Sequence, residues 1–132
     1  MSEKLLLVPI SFGELVDKIT ILQIKLKHFK NAGKRLNTQT ELTLLLETAA
    51  QNNIDLGHSL VDDLRSVNQR LWTIEDEIRV EEKLGRFGDN FIKLARAVYF
   101  ENDTRALLKK QINTHYGSKL VEEKEYVDYK AR

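Results

Sequence analysis

The 132-residue sequence contains no cysteine, one proline, one methionine and one tryptophan. Without cysteine there are no disulfides, no thiolate metal ligands and no cysteine nucleophile. A single proline, Pro9, and six glycines leave long stretches free of helix breakers. No apolar run approaches the roughly 20 residues that span a bilayer, and the N-terminal run Leu5–Val8 is too short even for a signal-peptide core. Neither sign of charge is in excess, since 21 Lys and Arg face 20 Asp and Glu. The chain therefore lacks a global field that would attract nucleic acid or an anionic membrane. These absences predict a soluble, cytoplasmic protein with no nucleic-acid and no membrane partner.

What is present is hydrophobic periodicity. A composition of 42% hydrophobic and 31% charged residues suits a folded, mainly helical chain. A chain of this length buries roughly two thirds of its unfolded surface, enough for one helical domain over residues 1–132. Leu60, Leu64, Val67, Leu71, Ile74 and Ile78 recur at alternating spacings of four and three, the seam of a long helix packed lengthwise on another. Phe12, Leu15, Ile19, Leu22, Leu26 and Phe29 form a matching stripe near the start. Together they predict an all-α hairpin or bundle of four to five helices with antiparallel heptad-patterned partners.

Local signals place the boundaries. Residues 1–10 read as an extended leader ending at Pro9. Ser11 and Glu14 form a capping box, with Ile10 and Leu15 as its hydrophobic staple, so the first helix starts at Phe12 and runs to about Lys30, where Asn31-Ala32-Gly33 stops it. Thr38 and Glu41 repeat the capping-box spacing before a shorter helix containing Leu42–Leu46. The long helix spans about Gly57 to Leu84, Gly85 and Gly88 bracket a break around Phe87, and Asp89 is the expected N-cap of the next helix. Asn102-Asp103-Thr104, three poor helix formers, predict an interruption, with Asp103 capping a fifth helix that Gly117 ends. Residues 118–132 form a charged tail. The basic stretch Lys25, Lys27, His28, Lys30, Lys34 and Arg35 is expected to face the acidic long helix across the hairpin.

Two groups of residues carry candidate chemistry. Trp72, Glu75, Arg79 and Glu82 make a polar stripe beside the apolar seam, either a groove wall where indole, carboxylate and guanidinium meet a ligand or an ordinary helical ion pair beside a core tryptophan. Arg96, Tyr99 and Asp103 share one face of the following helix, and Asn102, Arg105 and Lys109 share another. Arginine forks and a helix start suit phosphate or carboxylate, so these faces either bind a small acidic ligand or hold satisfied charges at a helix turn. The candidate ligand-binding set is thus Trp72, Glu75, Arg79, Arg96, Tyr99, Asn102, Asp103 and Arg105. Glu77 and Glu81 stand one turn apart, which leaves open a magnesium-dependent pyrophosphohydrolase built on bundle carboxylates, although the second carboxylate helix of such a site is missing. His28, His58 and His115 show no metal-ligand spacing, and no glycine-rich phosphate loop or nucleophile triad is evident. No resident cofactor or metal is expected.

The stretches Val8–Ile19, Leu71–Arg79, Asn102–Ala106 and Gly117–Lys124 together resemble a family of short bacterial and viral proteins of unknown function, along essentially the whole chain. The resemblance implies relatives near sugar-transfer or cell-surface polysaccharide functions, hence a nucleotide-sugar or carbohydrate-pathway role. It also draws attention to Glu14, Lys18 and Asp76 beside the candidate residues above. The leading expectation is an interaction or assembly module, a possible homodimer, that meets itself or another protein through its helical seams and tail. The alternative is a small-ligand protein or enzyme, with a phosphate or nucleotide-sugar type of ligand held by the Arg/Trp/acidic groove.

Overall fold

A computed structural model describes residues 4–130. Among these residues the protein is all-helical, with α1 over Phe12–His28, α2 over Ala32–Gln51, α3 over Ser59–Lys83 and α4 over Asp89–Tyr116. The helical-bundle expectation holds, with four helices. No helix among the described residues is long and apolar enough to cross a membrane. Met1–Glu3 of the expected leader, and the last two tail residues, lie outside the described residues.

α1 is the hub. It packs against each of the other three helices, α3 and α4 pair with each other, and α2 packs on α1 alone. The two apolar stripes meet in one core: Leu15, Val16, Ile19 and Leu22 of α1 and Val61, Leu64, Val67 and Leu71 of α3 are buried together with Leu108 and Ile112 of α4. Leu42 and Ala49 of α2 complete that core from the other side of α1. The middle of each stripe is therefore spent inside the chain itself.

The α1 start follows the sequence, because Ser11 Oγ accepts the Glu14 N–H at 3.1 Å. Only half of the capping box forms, however, since the Glu14 carboxylate turns away to Lys109. α1 ends at His28, and Asn31 starts the next helix instead of belonging to a stop: its Oδ1 accepts the Lys34 N–H at 3.0 Å. Thr38 is consequently inside α2, where its hydroxyl donates to the Lys34 carbonyl at 2.7 Å. Arg35 returns a guanidinium to the carbonyls of Leu26 and Phe29 at the end of α1, which satisfies acceptors that a helix end leaves free. α3 is capped by His58, whose Nδ1 accepts the Leu60 N–H at 3.1 Å.

Two boundaries expected from local propensity are corrected. Gly88, with no side-chain cap, takes the place expected for Asp89, which lies in the first turn of α4. The interruption at Asn102-Asp103-Thr104 does not occur, and α4 runs unbroken to Tyr116. Each of the three polar side chains finds a partner compatible with helix: Thr104 donates back to the Phe100 carbonyl, Asn102 accepts from Arg105, and Asp103 accepts from Tyr129. Packing on α1 and α3 overrides a weak local preference. Gly117, at φ 64°, ends α4 in a left-handed turn that returns the Ser118 N–H to the Asn113 carbonyl at 2.8 Å.

The tail then runs back along α4 as extended chain. Lys109 and Lys110 hold Glu122 and Glu123 at 3.1 and 2.8 Å, and Tyr129 reaches Asp103 and packs its ring on Tyr99 and Phe100. Leader and tail diverge from one point, where the Phe12 N–H donates to Ser118 Oγ at 3.3 Å.

Candidate functional site

Where α1, α3 and α4 meet, the apolar stripe of α1 is flanked by a second row, Gly13, Asp17, Thr20 and Ile24, and every member of it is buried. Gly13 lets α1 touch α4: a Cβ built there would lie 2.4 Å from the Lys109 carbonyl oxygen. The Gly13 N–H donates to Asn113 Oδ1 at 2.6 Å.

One turn on, the Asp17 carboxylate is only 1% exposed. Arg105 donates to it through Nε at 3.0 Å and Nη2 at 2.6 Å, and Asn68 Nδ2 donates to it and to Thr20 Oγ1, both at 2.9 Å. Lys109 Nζ lies 3.6 Å from it while bonding Glu14 at 2.7 Å. A buried charge is tolerable only when paired and hydrogen-bonded, and this one is both.

The charges respond accordingly. Burial pushes the Asp17 carboxyl up, but the hydrogen bonds from Arg105 and Asn68 and the charges of Arg105 and Lys109 outweigh it, leaving the group below the usual carboxylate range. Arg105 is raised, first by its bond to Asp17. Burial disfavours the Lys109 ammonium, yet Glu14, Asp17 and Glu122 raise it above the ordinary lysine value. Glu122 is lowered chiefly by its bond from Lys109.

An open hollow of about 470 Å³ adjoins this cluster, lined by Ile21, Asn68, Leu71, Trp72, Glu75, Asp76, Arg79, Asn102 and Arg105. Five of the eight candidate residues, Trp72, Glu75, Arg79, Asn102 and Arg105, thus share one concave surface, and so does Asp76. The other three do not join them. Tyr99 and Asp103 line the groove between α4 and the tail, and Arg96 lies over the Phe100 ring, 5.8 Å from its centroid. Lys18 is exposed, and Glu14 belongs to the buried cluster.

In the hollow both guanidiniums are already engaged, Arg79 with Glu75 and Arg105 with Asp17. Trp72 is stacked on His28 at 4.9 Å, and its buried Nε1 has no hydrogen-bond partner among the described residues. Two carboxylates balance two guanidiniums around the rim. The arrangement fixes the crossing of three helices and leaves one buried donor without a partner among the described residues, the indole N–H.

Among the described residues no three His, Asp or Glu side chains gather to hold a metal. Glu81, considered above for magnesium, is buried and accepts from Arg86 at 3.0 Å. The expected attraction of the basic stretch for the acidic long helix is not realised: the acids of α3 pair within or just beyond their own helix, and Lys25, Lys27, Lys30 and Lys34 form no ion pair among the described residues.

A family model matches residues 6–130 of the chain. The chain belongs to a family of unknown function, DUF6165. The DUF6165 match runs from Leu6 in the leader through all four helices to Lys130 in the tail. No curated protein and no solved structure matches the chain.

Sequence reasoning singled out Arg105 and Asn102 but missed Asp17, Asn68 and Asn113, the residues that Arg105 and the α1–α4 contact depend on. The signal was a stripe of small and polar residues at helical spacing, Gly13, Asp17 and Thr20, lying directly beside an apolar one.

Proposed function

We propose that this member of DUF6165 is an assembly module that joins a second copy of itself through its N-terminal leader. The observation that supports this reading is exposure. Leu5, Leu6, Leu7 and Val8 are 65%, 95%, 92% and 69% exposed in a segment outside the helices. Isolated apolar side chains on a surface are ordinary, but a continuous run of them marks a site of association. The helical seams cannot serve, because their central residues are already in the core.

A matching surface is available on the same molecule. The groove between α4 and the tail, about 970 Å³, is lined by Val98, Ala106, Leu107, Tyr126 and Val127 together with polar residues. The tail that forms its other wall has no strand partner among the described residues, which suits strand addition. A leader from one copy in the groove of the other, exchanged reciprocally, gives a closed two-fold pair. Burying eight Leu and Val side chains supplies on the order of 10 kcal/mol gross, against an association cost of about 4 to 15 kcal/mol.

The small-acidic-ligand alternative at the Trp72 hollow has less support, since Glu75 and Asp76 lie beside its arginines. Sedimentation equilibrium across a concentration series tests the assembly reading, with wild type compared to a Leu6→Asp, Leu7→Asp variant. The expected result is a dimer for the wild type and a monomer with unchanged helicity for the variant. A wild-type protein that stays monomeric at high concentration overturns it.

A further inference from the structure

Lys27, one of the cations that find no acid across the hairpin, lines a second hollow, on the face between α1 and α3, together with Arg65 and Arg70. It measures about 470 Å³ and is lined by Gln23, Ile24, Lys27, Arg65, Ser66, Gln69 and Arg70. Three lining residues are cationic and none is a carboxylate. In the Trp72 hollow, by contrast, two carboxylates stand against two arginines.

From this geometry we infer that the α1–α3 hollow is a binding site for the phosphate or diphosphate group of a small molecule, held by Lys27, Arg65 and Arg70. The inference is independent of assembly through the leader. Arg65 is positioned for it: Nε and Nη2 both donate to Gln23 Oε1 at 3.2 Å, and Nη1 holds Asp62 at 2.8 Å. The guanidinium is thereby fixed in orientation by α1 while remaining one third exposed.

Arg70 spends only its Nε, on Glu101 at 3.1 Å, so both terminal nitrogens remain for a ligand among the described residues. Lys27 has no ion pair among them, and the amides of Gln23 and Gln69 and the Ser66 hydroxyl add neutral donors at the rim. Asp62 and Glu101, the carboxylates that hold the two arginines, are not lining residues. A planar guanidinium with paired donors beside a lysine point charge suits tetrahedral phosphate oxygens. Lys25, two residues before Lys27 on α1 and also without an ion pair among the described residues, adds positive charge on the same helix, which raises the local anion concentration.

The test is calorimetric titration of the full chain at low ionic strength with pyrophosphate and inorganic phosphate, followed by a single-stranded RNA oligomer. The variants are Lys27→Glu and Arg70→Gln, with Lys93→Glu on α4 as a charge-matched control away from the hollow. The Lys27 side chain makes no ion pair or hydrogen bond among the described residues, so its variant loses only a favourable charge in the last turn of α1 and keeps the wild-type helicity. Pyrophosphate binding that weakens at least roughly tenfold in both hollow variants and is unchanged in Lys93→Glu supports the site, tenfold being about 1.4 kcal/mol. No binding of pyrophosphate to the wild type overturns it, as does an equal loss in all three variants, which would reduce the effect to net charge. Tighter binding of the RNA with the same variant sensitivity overturns the small-molecule assignment.

Discussion

Arg105 lays its guanidinium along the carboxylate of Asp17, Nε 3.0 Å from Oδ1 and Nη2 2.6 Å from Oδ2, joining α4 to α1 across 88 residues of sequence. Changing Arg105 to Met leaves Asp17 buried with only Asn68 and a more distant Lys109. Breaking such a pair from one side costs about 3 kcal/mol or more, read as the loss in urea-unfolding free energy. Adding Asp17→Asn to that variant recovers part of the loss, because the orphaned charge goes with it. Additive losses from the two changes would show that the pair is not coupled.

Stability depends on pH at both ends of the scale. The Asp17 pKa is lowered on folding, so its contribution is complete above the unfolded value of about 3.9 and is lost as pH falls through the lower folded value. The Lys109 pKa is raised, so its contribution is complete below about 10.4 and is lost as pH rises through the higher folded value. Urea midpoints measured against pH are expected to form a plateau between these limits, and Asp17→Asn flattens the acid limb. An acid limb unchanged in that variant would assign it to other carboxylates.

Gly13→Ala is expected to be among the most damaging single-methyl additions in the protein. The new Cβ would meet backbone, the Lys109 carbonyl at 2.4 Å, which cannot swing aside as a side chain would. Overpacking of this kind costs about 1 to 3 kcal/mol, and pushing α1 from α4 also lengthens the Gly13–Asn113 bond. Thermal unfolding of the variant provides the measurement, and an unchanged melting temperature would mean that the helices separate freely at this crossing.

The Tyr129 phenol is raised to about 12, chiefly by its bond to Asp103. Its contribution to tail docking is complete below the ordinary tyrosine value of about 10 and is lost as pH rises through about 12. Tyr129→Phe removes the bond at every pH. The backbone 15N nuclear Overhauser effect over residues 120–130 is then expected to fall while α1, α3 and α4 keep theirs. An unchanged effect in the variant would place the tail's anchorage on the ring packing against Tyr99 and Phe100 and on Glu122 and Glu123.

The parts of the fold that were legible in the sequence are those set by period and by caps that act locally. Leu64, Val67 and Leu71 announced a buried face by spacing alone, and Ser11 announced the start of α1. The sequence misled where a local signal had a stronger competitor upstream or across the bundle. Thr38 has the residue type of a cap, but Asn31, seven residues upstream, starts the helix by accepting the Lys34 amide and leaves Thr38 inside it. Asn102, Asp103 and Thr104 look like a break, but each is satisfied inside a helix held by its neighbours. Of the polar residues, Trp72, Glu75 and Arg79 came together because one helix carries all three. Asp17 and Asn68 stayed invisible because a buried ion pair is written on three separate helices, and spacing along one helix says nothing about the others.

That α2 rests on α1 alone divides the molecule into unequal cooperative units. The α1–α3–α4 crossing, with Asp17 at its centre, is stabilised from three sides, whereas α2 is retained by one apolar face containing Leu42 and Ala49 and by the Arg35 bonds to the end of α1. Opening of α2 exposes one side of α1 without disturbing any bond made by Arg105, Asn68 or Lys109. The free energy of that partial opening lies below that of global unfolding. Amide exchange in α2 is consequently expected to be faster than in α1, α3 and α4, through a three-helix form in which the hub is uncovered.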